Sequence, residues 1–201
     1  MKTKAQLQAS VLTGISSLFA CKDGFTTAAA QTGTGKVLTL DETKMCEFPC
    51  SEDSGFSYNE GTPTTDGHKI HGLGVYWSSK MTPGDTEIVI EIPCHDTDIL
   101  EFCGFTSVDL TATGTGTVFS GKTFTGKTFS GTRKAVILGL LALDDTEQNA
   151  FFVKKAKLMA SVVFDGSNKP LCVALNGTIQ GGADADALAV LAITETTGSG
   201  D

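Results

Sequence analysis

The sequence predicts a mainly β chain: an antiparallel β-sandwich or barrel-like domain with one short flanking helix and an extended N-terminal arm. Three observations carry this expectation. Gly (23 of 201 residues) and Phe (12) are abundant and Thr recurs throughout, a turn-rich and strand-leaning composition. The run TEIVIEIP sets Ile88, Ile90 and Ile92 against Glu87, Val89 and Glu91, the period of a strand with one buried face. The second half of the chain is a series of apolar runs separated by short polar turns, as in an antiparallel meander. A chain of 201 residues fits one domain and is long enough to bury a core.

The elements follow in chain order. Residues 1–20 place Leu7, Val11, Ile15 and Leu18 at helical spacing and predict a short amphipathic helix. Together with the Gly/Thr/Ala-rich connection that follows, they form an arm over residues 1–36, leaving 37–201 as a single sandwich domain. KVLTL is a strand; residues 51–69 are a long polar loop or a pair of irregular edges; IHGLGVYW is a strand; MTPGD is a turn with Pro83 and Gly84 at its centre. After the Ile88–Ile92 strand, Pro93 stops the ladder. HDTDILEFCG is then a short helix, with Asp96 or Thr97 as its cap, Ile99, Leu100 and Cys103 on its inner side, and Gly104 at its end. SVDLTAT is a strand, and RKAVILGLLAL is a buried strand or pair of strands. FFVKKAKLMASVVFD is a long strand with Leu158, Ala160, Val162 and Phe164 on one face. LCVALNGTI returns alongside it, and ALAVLAIT closes the chain as a strand or short helix.

Charge bounds the partners. The net charge of −8 disfavours non-specific affinity for nucleic acid or an anionic membrane, and no stretch is long enough for a membrane-spanning helix. Residues 82–109 hold seven acids and no Lys or Arg, whereas residues 110–169 hold eight basic residues against four acids. Such an asymmetry suits contacts between copies of the chain as well as it suits solvated faces. The six cysteines have no CxxC spacing and read as reduced, buried thiols. LFAC, ending at Cys21, resembles a lipoprotein cleavage box, but Gln6, Gln8, Thr13, Ser16 and Ser17 weaken the apolar stretch before it.

Several motifs invite chemistry and fail on context. GTVFSGKTFTGKTFSGT contains the phosphate-loop pattern GxxxxGK[ST] twice, at 116–123 and 121–128, and a hydrophobic run then ends on Asp144 as a magnesium-binding motif does. A phosphate loop needs a buried strand before it and a helix beginning at Lys-Thr. Here the lead-in is polar, the follow-on is rich in Thr, Phe and Gly, and no crossover fits before Asp144. A tandem F-[ST]-G-K-T pentad generates the match by repetition. The segment is expected to be an extended hairpin or loop, with Phe119 and Phe129 on one side, Phe124 on the other, and a neighbouring copy covering them. Cys46 and Cys50 with His68 and His71 approximate a zinc spacing without a finger framework. Cys94-His95-Asp96 are adjacent on a strand end and point apart, so they do not read as a catalytic dyad. No cofactor, metal or catalytic site is expected, and the chain is not expected to be an enzyme.

Residues 61–104 and 151–179 are similar to major tail tube proteins of tailed bacteriophages: an extended loop, a strand, a PGD turn, a strand ending in IP and a short helix, and later a closing hairpin. Residues 1–36 and the Phe-Gly-Lys-Thr repeat lie outside the resemblance. The resemblance implies a virion protein, assembled in the bacterial cytoplasm, whose hexameric rings stack into a tail tube that passes DNA without specific binding. Its partners would be further copies of itself and other tail proteins, with no membrane. Glu87, Glu91, Asp96 and Asp98 are then expected near an acidic lumen surface, and Phe119, Phe124 and Phe129 at contacts between subunits. Alternatives are another phage structural protein, for head decoration or tail completion, and a bacterial surface lipoprotein with a β-sandwich domain.

Overall fold

The computed structural model describes residues 12, 14–31, 35–49, 55–69, 71–74, 76–93, 96–129, 133–164, 166, 170–181 and 186–194. The fold is mainly β and every strand pairing is antiparallel. In chain order the strands are β1 (Ser17–Lys22), β2 (Thr26–Ala29), β3 (Lys36–Thr39), β4 (Met45–Phe48), β5 (Phe56–Glu60), β6 (Thr64–Lys69), β7 (Tyr76–Thr82) and β8 (Thr86–Ile92). A helix α1 (Thr97–Phe102) separates β8 from β9 (Ser107–Thr113), and a single helical turn α2 (Gly116–Phe119) precedes β10 (Thr123–Phe129). The last four are β11 (Val136–Leu143), β12 (Asn149–Val163), β13 (Cys172–Ile179) and β14 (Leu188–Ala192).

One sheet of eight strands forms the body, in the order β4-β1-β11-β12-β13-β8-β5, with β14 also paired to β12. It curls around a single core. The Phe151 ring on β12 meets Phe56 and Tyr58 of the edge strand β5, at 6.0 and 5.2 Å between centroids. At the other edge, Phe48 of β4 packs edge-on against Phe102 of α1 at 5.7 Å, so the helix closes that side. The result is sandwich-like.

The alternation in β8 works as the sequence implies: Ile88, Ile90 and Ile92 are fully buried. Full burial of such side chains is worth roughly 1.5–3 kcal/mol each. Helix α1 begins where its cap allows. The Asp96 carboxylate accepts hydrogen bonds from the Asp98 and Ile99 N–H groups, at 2.9 and 3.4 Å. Leu100 and Cys103 are buried, and Gly104, at φ 88°, turns the chain out of the helix.

Strand β12 departs from simple alternation. Leu138 pairs with Ala156 but Leu140 pairs with Val153, so Gly139 stands opposite both Lys154 and Lys155. This is a β-bulge, and it shifts the parity of the strand by one residue. Before it, Val153 faces the main core while Ala150 and Phe152 face a second cluster; after it, Ala156, Leu158 and Ala160 face the main core. The bulge is also where β12 changes neighbours, from β14 over residues 149–153 to β13 over residues 156–163.

Two expectations are corrected. The arm does not run to residue 36: Ser17–Lys22 is a strand between β4 and β11, with Leu18 and Ala20 in the main core and Phe19 and Cys21 in the second cluster. Pairing on both edges and burial of both faces override the helical spacing read through Leu18; residues 1–11 lie outside the described residues. The strand expected at 70–77 begins instead at Tyr76 and runs to Thr82, up to the Pro83-Gly84 turn. Leu158, Ala160 and Val162 share a face, as expected, in unbroken register with β13, but Val162 and Phe164 are exposed because β12 outruns β11, whose pairing ends at Leu158.

Gly139 is required by what lies over it. A Cβ there would stand 2.4 Å from the Phe25 ring and 2.9 Å from the Phe25 nitrogen. Gly139→Ala is expected to destabilise the fold by about 1–3 kcal/mol through overpacking. Ile90→Ala is expected to lose about 2–5 kcal/mol through a cavity, both read from urea unfolding midpoints.

Candidate interaction surfaces

The main core leaves one face of the β14–β12–β11–β1–β4 region apolar on the outside as well. Cys21, Phe25, Leu141, Ala150 and Phe152 are buried there beneath the β2–β3 hairpin. The hairpin is fastened by a polar clasp. Asp186, just before β14, accepts from the Lys154 ammonium at 2.9 Å and from the Thr27 hydroxyl of β2. Lys36 of β3 lies 3.1 Å from its other oxygen, an ion pair outside hydrogen-bonding geometry. The Thr27 hydroxyl, then the Lys154 and Lys36 ammoniums, hold the Asp186 carboxyl far below the usual carboxylate range against the opposing effect of burial. Lys154 belongs to the bulge, whose backbone also joins the clasp: Phe25 N–H donates to the Lys154 carbonyl, and Lys154 N–H to the Ala187 carbonyl, each at 2.9 Å.

The hairpin covers this face incompletely. Beside it lies an open groove of about 570 Å³ floored by Phe19, Leu141 and Leu143 and flanked by Leu38, Met45 and Leu191. Leu40 and Ile193 at its margin are 50% and 39% exposed. Among the described residues, its charged lining is Glu42 and Glu47, both exposed.

The second surface is a ribbon. β9 and β10 pair only with each other among the described residues. Consecutive residues 108–113 of β9 are all exposed, so both faces of the ribbon meet solvent, apolar Val108 and Leu110 included. At its tip Val118, Phe119 and Phe124 are 67%, 51% and 49% exposed. Phe119 and Phe124 pack edge to face, 6.0 Å apart. The expectation that they oppose each other is therefore corrected: α2 and the turn at Gly121 (φ 74°) interrupt the strand between them, so the pentad does not run along one continuous ladder. β10 includes Phe129, whose side chain lies outside the described residues. A second two-stranded unit, β6–β7, pairs with no other strand among the described residues and exposes Met81.

The chain matches no protein-family model and no curated protein.

The phosphate-loop pattern is accounted for by the ribbon. Lys122-Thr123 opens a strand rather than a helix. Ser120 N–H donates to the Gly116 carbonyl and Lys122 N–H to the Phe119 carbonyl, each at 3.0 Å, so two of the loop's N–H groups are directed at its own carbonyls. Asp144 has a different role from the one its motif suggests. It is fully buried and organises the β11–β12 turn, accepting from Thr146, from the Gln148 backbone and from both the backbone and the amide of Asn149, at 2.9–3.1 Å. The Asn149 amide leads the donors that hold its carboxyl below the ordinary range despite burial. The sequence DDTEQNA reads as a loop, and its Asx-turn composition fits the turn found there.

The remaining candidates are dispersed. Glu87 and Glu91 share the outer face of β8, Glu87 exposed and Glu91 half-buried, and the exposed Lys157 lies two strands away on β12, across β13. Asp96 is engaged in capping α1, and Asp98 lies exposed in its first turn. No three His, Cys, Asp or Glu side chains come together as a metal site among the described residues. Cys50, Cys94 and His95 lie outside them. Cys21, Cys46, Cys103 and Cys172 are free thiols. Burial, with Cys46 adding to it, pushes the Cys103 thiol up to about 12, and burial also raises Cys21, which leaves both unreactive. No described helix is long and apolar enough to cross a membrane.

The clasp sets a pH dependence. Asp186 is more acidic folded than unfolded, so its contribution is fully present above the unfolded carboxylate value, about 4, and is lost progressively as pH falls below it. Asp186→Asn is expected to lower the urea midpoint at pH 7, flatten its decline in acid, and speed hydrogen exchange in β2 and β3 while leaving β8 protected.

Proposed function

We propose that this chain is a self-assembling structural subunit, a virion protein whose rings stack into a tube of the kind formed by phage tail tube proteins. The observation that supports the reading is the β9–β10 ribbon. A two-stranded ribbon is marginal alone in water, and one exposing Val108, Leu110, Val118, Phe119 and Phe124 has large apolar groups that the described residues of its own chain leave uncovered. Cover from another copy resolves both problems, and a contact between two different surfaces of identical chains propagates into rings or filaments. The sandwich-like body, the capped helix α1 and the long β12–β13 hairpin are the elements that the resemblance implies.

The alternatives fare differently. Lipid attachment at Cys21 requires cleavage before that residue, which would cut through β1 and remove Leu18 and Ala20 from the core. Head decoration or tail completion would use the same ribbon and differs in the form of the assembly.

Negative-stain images of the purified chain at rising concentration test the reading. Rings or stacked polymers are expected, and a uniform monomer throughout would overturn it. No ATP turnover is expected in the wild type or in Lys122→Ala.

A further inference from the structure

We propose that the tip of the β9–β10 ribbon of one copy seats in the apolar groove beside the β2–β3 hairpin of a second copy. The inference rests on the self-assembly reading and names the two surfaces that meet.

Among the described residues, both halves of the contact stand open in the single chain. The tip presents Phe119 and Phe124 as a preformed wedge of two rings, with Val118 beside them. The groove offers about 570 Å³ walled by Leu38, Leu40, Met45 and Leu191. That space suits two aromatic rings, and the flexible Met45 side chain can adjust to them. The charges are complementary. Lys122 is the sole charged residue between positions 114 and 125. The groove margin carries Glu42 and Glu47, with Asp41 next to them paired to Lys44 at 3.7 Å. A cationic tip entering an acidic-rimmed apolar slot gains attraction at the rim, where water remains, without burying an unpaired charge in the floor.

The placement of the two surfaces gives the contact a direction. The ribbon springs from the start of β11, where Lys134 N–H donates to the Gly104 carbonyl at 3.4 Å, just before Ser107 begins β9. The groove lies at the other end of β11, at Leu141 and Leu143. The root of the ribbon and the groove thus lie at opposite ends of the central strand, and donor and acceptor are different surfaces of the same chain. The interface is heterologous and leaves one unused half at each end of a chain of copies.

A photo-reactive benzoylphenylalanine in place of Leu40, in the full-length chain mixed with isotope-labelled chain, tests the occupant directly. After irradiation, cross-links from position 40 to the peptide bearing Phe119 and Phe124 of the differently labelled copy are expected. Capture of the chain's own N-terminal segment, of a co-purifying lipid, or of nothing would overturn the proposal. A tip variant (Phe119→Asp with Phe124→Asp) and a groove variant (Leu40→Asp) are each expected to raise the concentration needed for assembly at least tenfold. Their urea midpoints should stay close to that of the wild type, because the altered side chains are exposed. Mixed together, the two variants keep one intact tip and one intact groove and should stop at dimers. Lys122→Glu should weaken assembly, and adding Glu47→Lys should restore it. A tip variant that assembles like the wild type sinks this contact and leaves the assembly reading standing, whereas a wild type that never assembles sinks both.

Discussion

The bulge at Lys154 and Lys155 is the constraint on which the rest of the structure depends. One extra residue opposite Gly139 turns the inner face of β12 into its outer face halfway along the strand. It also lets the same strand hold β14 on its first part and β13 on its second. Without that change of partner, the sheet could not place β8 and β5 on one side of the core and β1 and β4 on the other. The curl that brings Phe151 against Tyr58 follows from the added local twist.

The bulge also supplies the attachment point for everything outside the sheet. Its unpaired backbone bonds to Phe25 and Ala187, and its lysine reaches Asp186. A backbone irregularity that would otherwise strand polar groups thus becomes the anchor for the β2–β3 hairpin and the last strand. Asp144 does comparable work at the far end of β11, where a single buried carboxylate takes up the donors of a tight turn. Two carboxylates thus fix the periphery: Asp144 the β11–β12 turn, and Asp186 the β2–β3 hairpin.

How much was legible in the sequence depended on whether the signal was local. The β8 alternation, the Asp96 cap and the Gly104 exit are written in adjacent residues, and they stand as read. β1 was misjudged because its run is short and its partners, β11 and β4, lie far along the chain. The parity shift in β12 is present as the doubled lysine in FFVKKAKL, but only a neighbour with glycine at the matching position makes it a bulge. The phosphate-loop repeat could be discounted from its context alone. That its rings meet at the tip depended on a helical turn that the pentad period does not announce. The groove was invisible, since its walls come from β1, β3, β4, β11 and β14 together.

That last fact bears on the order in which the chain is made. Phe19, Leu38 and Met45 leave the ribosome early, whereas Leu141, Leu143 and Leu191 come late; the Ser16 hydroxyl and the Asp144 carbonyl that it bonds are 128 residues apart. Contacts so distant in sequence form slowly, and their apolar partners stay uncovered meanwhile. A nascent or truncated chain can display the ribbon, yet it cannot build the groove. The groove therefore comes into existence only after β14 has been made, so the fold itself times when the acceptor surface proposed above appears.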